Sequence, residues 1–197
     1  EKASIDEFYI DMTGMDRFFG CRKFSDHLKQ KVNKESGLTI SYGLASNKLI
    51  SKVATNEIKP NGQIEIPFGN EKQFLAPLSI MKIPGIGKET GYKLLKMGVE
   101  TVRTLSEIPV PLMQNLLGKN GTELHRRANG IDESPVVPYR EQKSISTEQT
   151  FDTDTIDILF LHQQLSRMTQ KIAFELRSQN RLTGCISVKI RYSDFQA

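Results

Sequence analysis

At 197 residues, with 38% hydrophobic and 25% charged side chains, the chain has ordinary globular composition, which excludes wholesale disorder and leaves room for several compact units. A net charge of +4 and a pI near 9.0 lean mildly toward polyanionic partners. No apolar run approaches the ~20 residues of a membrane helix, no leader is visible, and Cys21 and Cys185 are too few for a disulfide framework or zinc cluster; reduced thiols, a cytoplasmic location and no membrane partner are expected.

The chain opens EKASIDEFYIDMTG, with Asp6 and Glu7 side by side just before an alternating apolar run, Phe8, Ile10 and Met12, that reads as a strand. Neighbouring side chains of an extended segment face opposite ways, so two consecutive acids can share a ligand only where the chain bends sharply. Phe24, Leu28 and Val32 recur every four residues and Gly37 follows, the pattern of an amphipathic helix with a glycine stop. LTISYGLA, 38–45, reads as a strand. NKLISKVATNEIKPNG then places Leu49, Ile50, Val53 and Ala54 on one helical stripe and Lys48, Lys52 and Lys59, at spacings of four and seven, on another. Pro60, Asn61 and Gly62 end that helix, and a short strand follows around Ile64 and Ile66. Residues 1–70 therefore predict an α+β sheet with helices on one face.

From 71 to 130 the character changes to short helices punctuated by glycine and proline, a separate all-helical unit. IDESPVVPYREQ, 131–142, has two prolines and no period, and reads as a linker. The third unit, 143–197, begins with KSISTEQTF as a strand and continues into a long helix whose Leu161, Leu165, Met168, Ile172 and Leu176 form an apolar stripe. It ends in CISVKIRY, where Ile186, Val188, Ile190 and Tyr192 alternate with Ser187, Lys189 and Arg191, the pattern of a half-buried strand with a basic outer face. His27, His125 and His162 fall in separate helical patterns and suggest no metal site.

IPGIGKETGYKLL carries the clearest chemistry. Gly85 and Gly87 permit tight backbone geometry that delivers the chain into a helix from about Lys88 to Met97, whose first amides lack helical partners and attract phosphate. Gly98 stops that helix and a second, 101–108, follows. The spacing resembles the helix-hairpin-helix family, in which glycine-flanked hairpin amides hold DNA phosphates without reading sequence, and makes Gly85, Ile86, Gly87 and Lys88 candidate DNA ligands. That family usually carries alanine where this chain has Gly91. GKNGTELHRRANG, with Arg126 and Arg127 on its helix, repeats the logic more weakly. A DNA-gripping hairpin downstream of paired carboxylates suggests a polymerase palm, in which acids hold two Mg²⁺ ions for phosphoryl transfer.

Taken together, SIDEFYID, GLASNKLISKVATNEIKPNG, IPGIG and KSISTEQTF, in that order, resemble the Y-family translesion DNA polymerases of the bacterial DNA polymerase IV type. The resemblance implies a partial palm at 1–70, a thumb at 71–130, a linker at 131–142 and the first part of a little finger at 143–197. It implies that Asp6 and Glu7 are catalytic metal ligands for two Mg²⁺ ions, that Lys59 touches an incoming deoxynucleoside triphosphate and that Ser4 lies near the primer end. It further implies that Lys143, Lys189 and Arg191 lie along primer-template DNA, and that the protein is a monomer that copies past damaged bases and can meet a sliding clamp through a segment absent here.

Several features depart from the family pattern. Its first catalytic aspartate precedes the SIDE motif, and MDRFFG, 15–20, imitates that element but follows SIDE; Asp16 is therefore read as a loop residue. HQQLSRM, 162–168, lies within the amphipathic helix and is not read as a clamp-binding peptide. The chain is expected to be a piece that does not polymerise alone. Two rivals stay open: a non-enzymatic DNA-binding repair module, which has no use for Asp6 and Glu7, and a palm-like nucleotidyl cyclase, which has no use for the hairpin.

Overall fold

The computed structural model describes residues 1–18, 20–138 and 141–194. Phe19 of the MDRFFG loop, Tyr139 and Arg140 of the expected linker, and the last three residues of the third segment lie outside the described residues. The chain divides into two compact units, Glu1–Tyr139 and Arg140–Ala197.

In the first unit the opening segment is a tight hairpin rather than the expected strand. The amides of Ala3 and Ser4 both donate to the Glu7 carbonyl, at 2.9 and 3.2 Å, and Tyr9 N–H donates to Glu1 O at 2.8 Å. Lys2 and Phe8 form one isolated antiparallel bridge. The apolar alternation of Phe8, Ile10 and Met12 thus has a partner only at its first residue, too little for a ladder.

Helix α1, Cys21–Ser36, starts three residues before the first member of its apolar repeat and stops at Gly37, whose left-handed backbone (φ 72°) lets its N–H return to Asn33 O. Asp16 Oδ1 accepts from the Cys21 amide at 3.0 Å, so Asp16 holds the helix start, consistent with its place in a loop. Strands β1, Tyr42–Leu44, and β2, Gln63–Glu65, pair in parallel with Tyr42 opposite Gln63. Parallel strands need a long crossover, and α2, Lys48–Glu57, supplies it. Its expected stripe of Leu49, Ile50, Val53 and Ala54 is buried. Gly43 permits the close approach: a Cβ there would lie 2.6 Å from the Ser51 carbonyl oxygen, while Ser51 Oγ donates to Gly43 O at 2.7 Å. The Tyr42 hydroxyl donates to Asp26 on α1, and burial together with that carboxylate pushes the phenol up to about 12.

Five short helices follow: α3 Glu71–Leu75, α4 Lys88–Lys96, α5 Val102–Glu107, α6 Val110–Leu117 and α7 Lys119–Ala128, with a 3₁₀ turn at Ile80–Lys82. They bury Leu75, Ile80, Ile83, Leu94, Val102, Leu105 and Met113 almost completely, in one cluster that also includes the α2 face. Helices α6 and α7 meet at Gly121, where a Cβ would lie 1.9 Å from the Met113 carbonyl oxygen. Beyond α7 the chain returns to the start of α2. Asn47 Oδ1 accepts from Ile50 N–H at 3.0 Å, its Nδ2 donates to Gly130 O at 2.9 Å, and Asp132 Oδ2 accepts from Leu49 N–H at 3.0 Å. The N-terminal amides of α2 are thus satisfied from both sides of the helical unit.

The second unit is built on α8, Ile158–Ser178, capped by Asp157, whose carboxylate accepts from Phe160 N–H at 3.1 Å. Phe151 packs edge-on against Phe160 with ring centroids 5.2 Å apart. Leu161, Met168, Ile172 and Leu176 of the expected stripe are half-buried, and Leu165 is exposed. The strands expected at 143–151 and 185–192 are not formed among the described residues. Arg191 reaches Glu148 at 3.6 Å, so the two segments touch through side chains, but no backbone ladder joins them. Ile186, Val188, Ile190 and Tyr192 remain exposed, because an alternating segment buries a face only against a paired, covered sheet, and an isolated two-stranded ribbon is marginal.

No described helix is long and apolar enough to cross a membrane.

Candidate active site and nucleic-acid interface

The two adjacent acids do sit on a bend. Ser4 forms its pivot: Ser4 Oγ donates to Asp6 Oδ1 at 2.7 Å and accepts from the Glu7 amide at 3.1 Å. That hydrogen bond, foremost, holds the Asp6 carboxyl below the ordinary aspartate range, with Lys59 and Lys52 adding smaller attractions. Asp6 is exposed and Glu7 half-buried.

Glu7 lies between two lysines. Lys52 Nζ donates to Glu7 Oε2 at 2.6 Å and Lys59 Nζ lies 3.7 Å from Oε1. Lys52 sits on α2, whose buried stripe fixes the direction of the opposite face, and Lys59 follows just past the helix end. The Lys52 hydrogen bond lowers the Glu7 carboxyl and raises the Lys52 ammonium, so both stay charged over a wide pH range. One turn earlier, Lys48 pairs with Glu1 at 2.8 Å and lies 5.0 Å from the centre of the Tyr9 ring. The lysine stripe spaced by four and seven residues thus faces the opening hairpin. Lys52 was visible there as a member of that stripe, but only the folded hairpin shows that it meets Glu7.

Carboxylate oxygens are the right donors for Mg²⁺, which is commonly held by one or two carboxylates plus substrate phosphates. Asp6 and Glu7 fit that donor set, although no group of three or more acids, histidines or cysteines converges among the described residues.

The hairpin at 83–87 lies elsewhere in the same unit. Ile86 N–H donates to Ile83 O at 3.1 Å, Gly85 takes φ +97°, and Gly87 caps α4 with extended backbone and no side-chain cap bond, leaving the helix start open. Lys88 is the first residue of α4. Arg127, singled out only in the weaker second repeat, is a component that sequence reasoning missed: its Nη1 donates to Pro84 O at 2.7 Å and its Nε to Glu123 Oε1 at 3.1 Å. The lone signal for it was its position in HRRANG. Lys143 and Lys189 are exposed residues of the second unit, as is Arg191, paired with Glu148.

Comparison with known proteins covers three successive stretches. Residues 1–56 match the impB/mucB/samB family, 81–132 a thumb domain described as that of DNA polymerase-iota, and 142–197 the C-terminal domain of the impB/mucB/samB family. DNA polymerase IV of Dehalococcoides mccartyi is 39% identical over 196 residues, 99% of this chain and 50% of that protein. DNA polymerase IV of Halorhodospira halophila is 34% identical over 198 residues, 100% of this chain and 56% of that protein. A solved structure, a Y-family DNA polymerase chimera of Dbh and Dpo4, superposes with TM-score 0.75 at 27% identity, covering 88% of this chain and 51% of the other. The chain spans about half the length of the curated relatives it matches. Along nearly its whole length the chain is similar to proteins named DNA polymerase IV, and over 88% of its length to a Y-family DNA polymerase structure.

Proposed function

We propose that the protein adds deoxynucleotides to a primer opposite damaged template by two-metal phosphoryl transfer, with 1–70 as part of the palm, 71–130 as the thumb, 131–142 as a linker and 143–197 as part of the little finger. The observation that carries this reading is the Ser4-pivoted bend that presents Asp6 and Glu7 beside Lys52 and Lys59. Asp6 and Glu7 would hold Mg²⁺. Bound Mg²⁺ supplies activation of the primer 3′ hydroxyl and charge neutralisation at the triphosphate. Lys59, the looser of the two partners of Glu7, is free to turn its ammonium to a triphosphate oxygen, while the tighter Lys52 keeps Glu7 in place. Ser4 sets the Asp6 rotamer next to the primer end. Gly85, Ile86, Gly87 and Lys88 hold the DNA backbone, and Lys143, Lys189 and Arg191 add charge along it.

Because no group of three or more acids, histidines or cysteines converges among the described residues, the reaction is assigned to the intact protein and not to this chain by itself. Primer extension tests the reading. In the intact protein Asp6→Ala should lower extension by roughly 10³-fold while duplex binding persists. Extension at the wild-type rate would remove Asp6 from the site, and an intact protein that binds duplex without extending primers would favour the repair-module reading.

A further inference from the structure

We propose that Arg127 is a positioning residue for the phosphate-binding hairpin, aiming its amides while making no contact with the phosphate. This deepens the assignment of 85–88 as DNA ligands and rests on it.

Three features lead there. Arg127 Nη1 donates to the Pro84 carbonyl at 2.7 Å, across 43 residues of sequence, and Glu123 one turn earlier on α7 steadies the guanidinium through Nε at 3.1 Å. Gly85 is shaped around that contact: a Cβ there would lie 2.7 Å from Nη1 and 3.5 Å from Leu124 Cδ2, and its φ of +97° disfavours any other residue. In a trans peptide the C=O and the following N–H point in opposite directions. Turning Pro84 C=O onto Arg127 therefore turns Gly85 N–H away from α7, and Gly87, without a side-chain cap, leaves the start of α4 open on the path of the chain that follows. The guanidinium thus sets the direction of an amide that it does not itself touch. Lysine could reach one of the two oxygens but lacks the rigid fork that reaches both.

The test uses the intact protein and a fluorescent primer-template duplex, with anisotropy read across a salt series and folding checked by circular dichroism well below the melting temperature. Removing a positioning contact weakens binding and leaves the number of neutralised phosphates unchanged, whereas removing a direct ligand lowers the log–log salt slope by about 0.9. Arg127→Met is expected to weaken binding about tenfold with the slope unchanged. Arg127→Lys should fall between Arg127→Met and wild type, and serves as the test if Arg127→Met does not fold. Wild-type affinity in the folded variant, or a slope reduced by about 0.9, would overturn the proposal. Lys88→Ala separates this from the reading beneath it: if wild-type binding is insensitive to salt, or Lys88→Ala changes neither affinity nor slope, the hairpin is not a phosphate site whatever Arg127 does.

Discussion

Lys52 Nζ and Glu7 Oε2 lie 2.6 Å apart, joining the face of α2 opposite its buried stripe to a carboxylate on the opening bend. The Glu7 carboxyl is depressed below its ordinary value of 4.5, chiefly by that hydrogen bond. A carboxylate with a lowered folded pKa contributes stability above its unfolded value, and the contribution disappears as pH falls through the folded one. Lys52→Met should therefore flatten the loss of stability below about pH 4.5, as followed by urea denaturation across an acid series. The raised Lys52 ammonium contributes below its ordinary 10.5 and loses that contribution at still higher pH, so the variant should also be flatter in strong alkali. Superimposable wild-type and variant profiles would mean that the pair is not formed in solution.

Ser4→Ala removes the hydroxyl that donates to Asp6 Oδ1 and accepts from Glu7 N–H. The Asp6 carboxyl should rise back toward 3.8, read by NMR titration of the side-chain carboxyl carbon. Primer extension in the intact protein should decline more gently than for Asp6→Ala, since the carboxylate stays and only its orientation is loosened. An unmoved Asp6 titration would place the serine hydroxyl elsewhere.

Two buried helical glycines should respond unequally to alanine. At Gly121 the new Cβ meets a backbone oxygen, Met113 O at 1.9 Å, which cannot yield without separating α6 from α7. Gly121→Ala should destabilise by roughly 2 kcal/mol, net of the alanine helix preference, in chemical denaturation. At Gly91 the obstacle is the end of a flexible side chain, Met81 Sδ at 2.3 Å, and Met81 is 43% exposed with room to turn. Gly91→Ala should be close to neutral alone, and in a Met81→Ala background should stabilise by about 1 kcal/mol. Equal effects at both sites would contradict the packing described.

Asn47→Ala loses both the α2 cap and the donor to Gly130 O, and should cost about 1–2 kcal/mol, measured by thermal or chemical unfolding of the intact protein. Asn47→Asp retains the cap acceptor and gains a charge favoured at a helix start, while giving up the donor, so its loss should be smaller. A loss in Asn47→Asp as large as in Asn47→Ala would show that the Gly130 contact, not the cap, dominates.

What could be read in advance was local and periodic. The Leu49, Ile50, Val53 and Ala54 stripe, the stop at Gly37 and the IPGIG entry into α4 are each written within a few residues, and the structure forms all three. The strand expected from Phe8 to Met12 and those expected at 143–151 and 185–192 depended on partners that alternation does not specify; the first is a single bridge and the others are unpaired among the described residues. For the site, adjacency of Asp6 and Glu7 raised the question of a bend, but the Ser4 pivot and the reach of Lys52 across 45 residues follow from the fold. Arg127 is the extreme case: nothing in HRRANG distinguishes the arginine that grips Pro84 from Arg126, which pairs with Glu133 at 2.7 Å.

Asn47 and Asp132 both attend the start of α2, and each bridges 83 residues, to Gly130 and to Leu49 respectively. The helices between them therefore form a noncovalent ring that closes where it opened. Its closure entropy is charged once, at a helix end that also requires those acceptors, so melting the ring and uncapping α2 are one event. Nicking the backbone at Gly118, between α6 and α7, would leave two pieces each still anchored to α2, and the helical unit should survive such a cut better than one tethered at one end only.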